Sequence, residues 1–318
     1  MLSDDRYEVV ALSGTSGGAI CALLAWYALL QNGGEGSPTR AARLLDSFWR
    51  ANSASGAYDR FWNDWTVWAN RFQGGVFLPA VSPYSTPVSY WGQERLRAML
   101  EELVAFEEIE TPLQGSSPML LVGAVDVCSG EFRAFNSRRD RIKAEMILAS
   151  TALPTLFRAV RADGEVYWDG LFSQNPPVRE LTDAKPDEVW VIQIDPERRA
   201  EEPKSMVDIL DRRNELAGNL SLYQEIHFIE KINDLVDKLG EGESPEGKRL
   251  RIPGEEGKEY RPIEVRRIEM LKALDFASKL DRSPAFIRGL MAYGEERAEE
   301  FLRDRARNAL GSGRLTQA

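Results

Sequence analysis

The chain has 318 residues, 43% hydrophobic and 28% charged, enough for a sizeable core in one large domain or two small ones. Its formal net charge of -10 argues against a broad nucleic-acid-binding surface and against purely electrostatic adhesion to anionic lipid, both of which need clustered positive charge. Two cysteines and a single histidine, His227, argue against a disulfide framework and a structural zinc site. Cys21 and Cys128 each sit in an apolar segment and are read as buried free thiols in a reducing, cytoplasmic setting.

Met1 to Arg6 are polar and acidic, unlike a signal peptide. Tyr7 to Leu12 reads as a short buried strand, Ser13 to Gly18 as a tight turn of small residues, and Ala19 to Gln31 as a buried helix stopped by Asn32-Gly33-Gly34. Within it the longest apolar run, Ala19 to Leu30, is twelve residues. A membrane-spanning helix needs about 20, so a soluble chain is expected. Thr39 to Arg50 predicts a second helix. From Trp49 to Trp91 the chain holds five of its eight tryptophans among prolines and glycines, and is expected to be irregular with short helices. Gln93 to Val104 predicts a helix, Met119 to Val127 and Glu131 to Phe135 two strands around Ser129-Gly130, and Ile142 to Thr151 a helix closed before Pro154. Glu165 to Trp168 and Glu188 to Ile194 read as strands. Met206 to Leu239 is helical and charged, 240–260 a solvated loop, Pro262 to Ile268 a late strand, Ala285 to Asn308 a final helix, and Gly311 to Ala318 a frayed end. Strands alternating with helices predict an α/β fold with a central, mostly parallel sheet.

Gly14-Thr15-Ser16-Gly17-Gly18 matches G-x-S-x-G, and it stands after a strand and before a helix, where a nucleophilic serine on a sharp turn would have to be. Gly14 and Gly18 are small as such a turn requires, and the helix that follows directs its amide dipole at the site. A glycine-rich turn with Ser16 merely exposed stays open as an alternative. A phosphate-binding loop is set aside because its Lys-Ser/Thr pair is missing.

A Ser-His-Asp triad needs an imidazole. His227 lies mid-helix in the charged C-terminal part and reads as an ordinary helical histidine, so the base for Ser16 is expected to be a carboxylate. Asp169 is the best placed of the fifty acidic residues, directly after a short aromatic strand and before Gly170. Asp-Gly is also a common turn pair, and that alternative stands beside it.

Two blocks together, Gly14-Thr15-Ser16-Gly17-Gly18 followed by an apolar helix, and Asp169-Gly170-Leu171 followed by Asn175-Pro176, resemble the patatin-like phospholipase family. Ala149-Ser150-Thr151-Ala152-Leu153-Pro154, with Phe157, is similar to that family's A-S-x-A-x-P segment. The similarity runs from about Tyr7 to Ile194, and the helical C-terminal part is similar to the extension of a bacterial and archaeal subgroup. The resemblance implies a three-layer α/β sandwich over 1–200 with a helical extension over 201–318 packed on it. It implies a Ser16-Asp169 dyad, with Gly170 supporting the proton acceptor, that hydrolyses lipid esters through an acyl-enzyme without a metal or organic cofactor. Family members carry a glycine-rich oxyanion loop upstream of the serine. This chain starts 15 residues before Ser16 without one, so a shortened version of a longer protein is expected, with the Gly17 amide as the remaining oxyanion donor. Leu171 replaces the commoner glycine or alanine, with little harm expected.

The aromatic stretch Phe48 to Trp91 reads either as an acyl-chain or lipid-interface surface or as a local core. The implied partners are a lipid or acyl-ester substrate and a transient membrane-surface contact, with no nucleic acid. Two competitors remain open: a non-catalytic lipid-binding or interaction module, and an esterase or thioesterase acting on small acyl groups.

Overall fold

The computed structural model describes residues 6–32, 37–72, 82–85, 87–109, 112–113, 117–154, 156–240, 242, 248–251, 259–272, 274 and 276–312. In chain order the elements are β1 (Ala11–Gly14), α1 (Gly17–Asn32), α2 (Ser37–Asn52), α3 (Ala57–Phe72), α4 (Pro87–Leu103), β2 (Met119–Asp126), β3 (Phe132–Asn136), α5 (Ala144–Ser150), β4 (Val160–Ala162) and β5 (Glu165–Asp169). There follow β6 (Glu188–Gln193), α6 (Met206–Leu239), β7 (Leu250–Arg251), β8 (Glu259–Tyr260), β9 (Glu264–Glu269), α7 (Phe276–Lys279) and α8 (Pro284–Ser312). The expected loop over 240–260 falls largely outside the described residues, and its described ends pair as β7 and β8. The expected frayed end lies outside them beyond Ser312.

The organiser is β2, whose run Met-Leu-Leu-Val-Gly-Ala-Val is buried almost throughout, as a strand covered on both faces must be. Its residues alternate between two cores. Leu120, Val122 and Ala124 pack with Leu23, Leu24 and Trp26 of α1 and Met146 and Ile147 of α5. Met119 and Leu121 point the other way, to Val189 and Val191 of β6 and Leu222, Ile226 and Ile229 of α6. The fold is thus α/β, but the main sheet is mixed, not mostly parallel as expected. Only β1 runs parallel to β2, whereas β3 and β5 are antiparallel to it and β4 is antiparallel to β5. The physical reason is short connections: β2–β3 and β4–β5 are joined by turns of a few residues, which permit only antiparallel neighbours. The parallel pair β6–β9 forms a separate small sheet.

One edge of β2 is shared end to end by two strands. The partners of β3 span Leu121 to Val125 and so fill one edge. On the other edge Gly14 of β1 lies opposite Val122, and Asp169 of β5 lies opposite Ala124. Two strands entering from opposite directions therefore finish facing each other across Gly123.

Three further expectations are corrected. Of the tryptophan-rich stretch, 73–81 and 86 lie outside the described residues, and Ala57–Phe72, expected to be irregular with short helices, is the single 16-residue helix α3. Its inner side is fastened by Asn63, which accepts from the Arg282 amide (2.8 Å) and donates to Asp281 (3.3 Å), and by Asp59, which pairs with Arg282 (2.5 Å). Those anchors lie more than 200 residues away, so no local pattern announces them. The first strand starts at Ala11, not Tyr7, and its pairing continues through Gly14 into what was expected to be turn. Cys128 is exposed, not buried, because β2 ends at Asp126, whose Oδ1 accepts from the Cys128 and Ser129 amides (2.7 and 2.9 Å) and turns the chain outward. Cys21 is partly buried, and burial pushes its thiol pKa up.

Exposed aromatic rings are concentrated in one region. Tyr58, Phe61, Trp62, Trp65 and Trp68 of α3, with Tyr84 and, on α4, Tyr90 and Trp91, are between 47% and 76% exposed. A local core accounts for Phe48, which is fully buried, and not for these.

Candidate active site

The turn after β1 carries Ser16 at φ 57, a left-handed backbone that a non-glycine residue adopts only under constraint. The constraint is visible. The Ser16 amide donates to both the carbonyl and the hydroxyl of Ser150 (3.1 Å each), and helix α1 begins at the next residue. The Gly18 amide is bound to the Thr15 carbonyl (2.9 Å) and the Ala19 amide to that of Ser16 (3.0 Å). The Gly17 amide, next after Ser16, is not used in these bonds and lies at the positive end of the helix dipole.

The two elbow glycines are not equivalent. A side chain on Gly14 would run into the backbone of Gly18 and come within 2.6 Å of the Ala19 nitrogen, whereas one on Gly18 or Gly17 would meet nothing within 4 Å. The expectation that both Gly14 and Gly18 must be small holds only for the first, because position 18 has open space where a side chain would go. Gly14→Ala is therefore expected to cost about 3 kcal/mol or more, and Gly18→Ala to change stability by less than about 1 kcal/mol, in urea unfolding. Equal effects would contradict the observed packing.

Asp169 closes β5 and is fully buried. Its amide donates to the Ala152 carbonyl (3.1 Å), and its Oδ1 accepts from the Leu171 amide (2.9 Å). The second oxygen, Oδ2, is buried with no partner meeting strict hydrogen-bond geometry among the described residues. The Ser16 side chain nevertheless lies close enough to the carboxyl to lower its pKa. Burial dominates and pushes the Asp169 pKa up to about 7, against the smaller lowering by the Leu171 amide and Ser16. The structure thus brings Ser16 and Asp169 together, and Ser150 to Ala152 spans the two, accepting from the Ser16 amide at Ser150 and from the Asp169 amide at Ala152.

Gly170 opens the helical turn after Asp169, and a side chain there would lie 2.7 Å from the Gly123 carbonyl oxygen. Gly123 is itself crowded: an added Cβ would be 2.6 Å from Thr15 Oγ1 and 2.9 Å from the Gln174 carbonyl oxygen. That residue was missed at the level of sequence, although a glycine inside an apolar strand run is a signal of close backbone approach. Ser13 and Thr15 were missed too. Their hydroxyls donate to the carbonyls of Pro177 (2.6 Å) and Gln174 (2.9 Å), tying the elbow to the loop after Asp169. His227 is exposed on α6 beside Glu230 and takes no part. Among the described residues no group of three or more His, Cys, Asp or Glu is arranged to hold a metal ion.

The site so far is a serine in left-handed backbone between a strand and a helix of an α/β protein, with a buried carboxyl beside it whose pKa is raised. A family model described as patatin-like phospholipase matches residues 2–182, more than half of the chain, and the chain belongs to that family. A search among solved structures gives VipD from Legionella pneumophila, 14% identical, covering 89% of this chain and 60% of that one with a TM-score of 0.25. The chain thus spans about 60% of VipD's length. No curated protein matches the chain.

Proposed function

We propose that the chain is a serine-dependent lipid acyl hydrolase in which Ser16 and Asp169 form the working pair. The observation that carries this reading is the one just described: a hydroxyl held on a constrained turn against a buried carboxyl whose second oxygen is left without a formed hydrogen bond. Family membership supports the reaction class. Ser16 Oγ attacks the ester carbonyl while its proton passes to Asp169. The tetrahedral oxyanion is held by the Gly17 amide at the head of α1. Collapse breaks the C–O bond, and the protonated Asp169 returns the proton to the leaving alcohol. Water then attacks the acyl-Ser16 ester, its proton going to Asp169 and on to Ser16 as the fatty acid departs. The partly solvated Ser16 gives access for substrate, and burial of Asp169 keeps its proton affinity near that needed at neutral pH.

The test is covalent labelling by a fluorophosphonate followed by peptide mass analysis. The label is expected on the peptide holding Ser16, and Ser16→Ala is expected to lose it. Labelling that survives the substitution would remove the proposal. A series of acyl esters of rising chain length separates a lipase from an esterase of small acyl groups, and phosphatidylcholine vesicles supply the phospholipid arm.

The aromatic face of α3 and the start of α4 is proposed as the part that touches the lipid surface, since indole and phenol rings favour the boundary between hydrocarbon and water. No helix among the described residues is long and apolar enough to cross a membrane, so contact would be peripheral. The net charge of -10 points to zwitterionic lipid. Replacing Trp65 and Trp91 together by serine in the Ser16→Ala background is expected to lower sedimentation with phosphatidylcholine vesicles about tenfold, with little dependence on salt. Unchanged sedimentation would assign the patch to something other than lipid.

A further inference from the structure

The loop that follows Asp169 is suspended between two supports. On one side stand Ser13 and Thr15, whose hydroxyls hold the carbonyls of Pro177 and Gln174. On the other side stands α6, whose positions 218, 221 and 225 fall at i, i+3 and i+7 on one face of the helix. The Ser221 hydroxyl donates to the Ser173 carbonyl (2.6 Å) and accepts from the Asn175 amide (3.2 Å), so one side chain fixes two backbone groups two residues apart. Glu225 Oε2 accepts from the amides of Val178 (3.2 Å) and Arg179 (2.7 Å). Gly218 lets the helix come close: a Cβ there would lie 2.6 Å from Asn175 Nδ2 and 3.0 Å from Leu171 Cδ1.

Helix α6 is itself fixed against sliding. Glu215, 1% exposed, and Asp211, 4% exposed, are held by Arg199 (2.7 and 2.6 Å) and by Lys279 of α7 (3.2 and 2.7 Å). Ser221 and Glu225 are also buried. A buried serine and glutamate spent on the backbone of one loop, when α6 already buries Leu222, Ile226 and Ile229 in the core, give that loop a definite path that apolar packing alone would leave loose.

We propose that Ser221 and Glu225 are positioning residues of the site, acting through the 173–179 loop on the relation between Asp169 and Ser16. They lie outside the segment matched by the family, 2–182, so the working site includes part of the C-terminal helix. The inference rests on the hydrolase reading for its kinetic consequence and on the hydrogen bonds alone for its structural one. Two measurements keep these apart.

The first is hydrogen exchange by mass spectrometry on wild type, Ser221→Ala, Glu225→Ala and Glu225→Gln. Peptides over 170–179 and 13–19 are expected to exchange about tenfold faster in the two alanine variants, with peptides of α2 and α5 unchanged. Glu225→Gln, which keeps an oxygen to accept from Val178 and Arg179, is expected to stay within about twofold of wild type. The second is hydrolysis of a soluble acyl ester. Both alanine variants are expected to lose about tenfold in kcat with KM within twofold, and the glutamine variant to recover most of it. A uniform rise in exchange across the whole chain, or no change over 170–179, overturns the proposal whether or not the protein hydrolyses esters. Faster local exchange with an unchanged kcat overturns the positioning role. A wild type with no hydrolysis at all counts against the hydrolase reading, and the exchange data alone then decide whether α6 supports the loop.

Discussion

Asp169→Asn is expected to lower kcat/KM for ester hydrolysis by about 10⁴-fold, and Ser16→Ala by as much, because in the proposed dyad either change would remove half of a unit that works only whole. Asparagine preserves the shape and the acceptor for the Leu171 amide but cannot take the Ser16 proton. The wild-type pH profile should show the same dependence. Asp169 must be ionised to act as base, and burial raises its pKa to about 7. Below that pH, kcat/KM is expected to fall about tenfold per unit, and above it to level off. The groups acting on the carboxyl are the Leu171 amide and the Ser16 hydroxyl, with no charged side chain among the causes of its shift. The acid limb should therefore be insensitive to salt. An acid limb near 4, where an ordinary carboxylate titrates, would mean that Asp169 is solvated or is not the base.

The second large effect is on stability, and in the opposite direction. A carboxyl whose pKa rises on folding from 3.8 to about 7 favours the folded state in its protonated form. That contribution is fully present below about pH 4 and is lost as pH rises through 7, because ionising the buried group then opposes folding. A tenfold change in proton affinity corresponds to about 1.4 kcal/mol, so the loss amounts to about 4 kcal/mol by pH 8. Asp169→Asn removes the ionisation and is expected to be more stable than wild type at pH 8 by up to about 4 kcal/mol, with no advantage at pH 3.5. Urea unfolding at the two pH values checks this. A gain of equal size at both would trace to packing and not to charge. A variant that is nearly inactive yet harder to unfold is what a buried, functionally retained carboxylate should produce.

The unequal demands on the elbow show how far local pattern carries. Gly14-Thr15-Ser16-Gly17-Gly18 located the turn, the strand before it and the helix after it. The order and approximate bounds of most elements were legible because hydrophobic periodicity and turn residues act over a few positions. Asp169 was legible as a candidate because it follows a strand and precedes a glycine. The class of fold was legible too, but the direction of its strands was not. Pairing depends on which edges are free, and Glu165 to Asp169 reads alike whether it runs with β2 or against it.

What local chemistry settles in this chain is a hydroxyl on a sharp bend at Ser16, an acid at the end of a strand at Asp169, and an apolar ribbon at Met119 to Val125 able to be buried on both sides. What it leaves open is where these lie in space. The meeting of Gly14 and Asp169 on one edge of β2, on either side of Gly123, comes from pairing between segments far apart in the chain, Gly14 with Val122 and Asp169 with Ala124. So do the suspension of the 173–179 loop from Ser221 and Glu225 and the fastening of α3 by Asp281 and Arg282. Each is a hydrogen bond or close contact between groups that no sequence window contains together, and their free energy is gained only once the whole chain has closed.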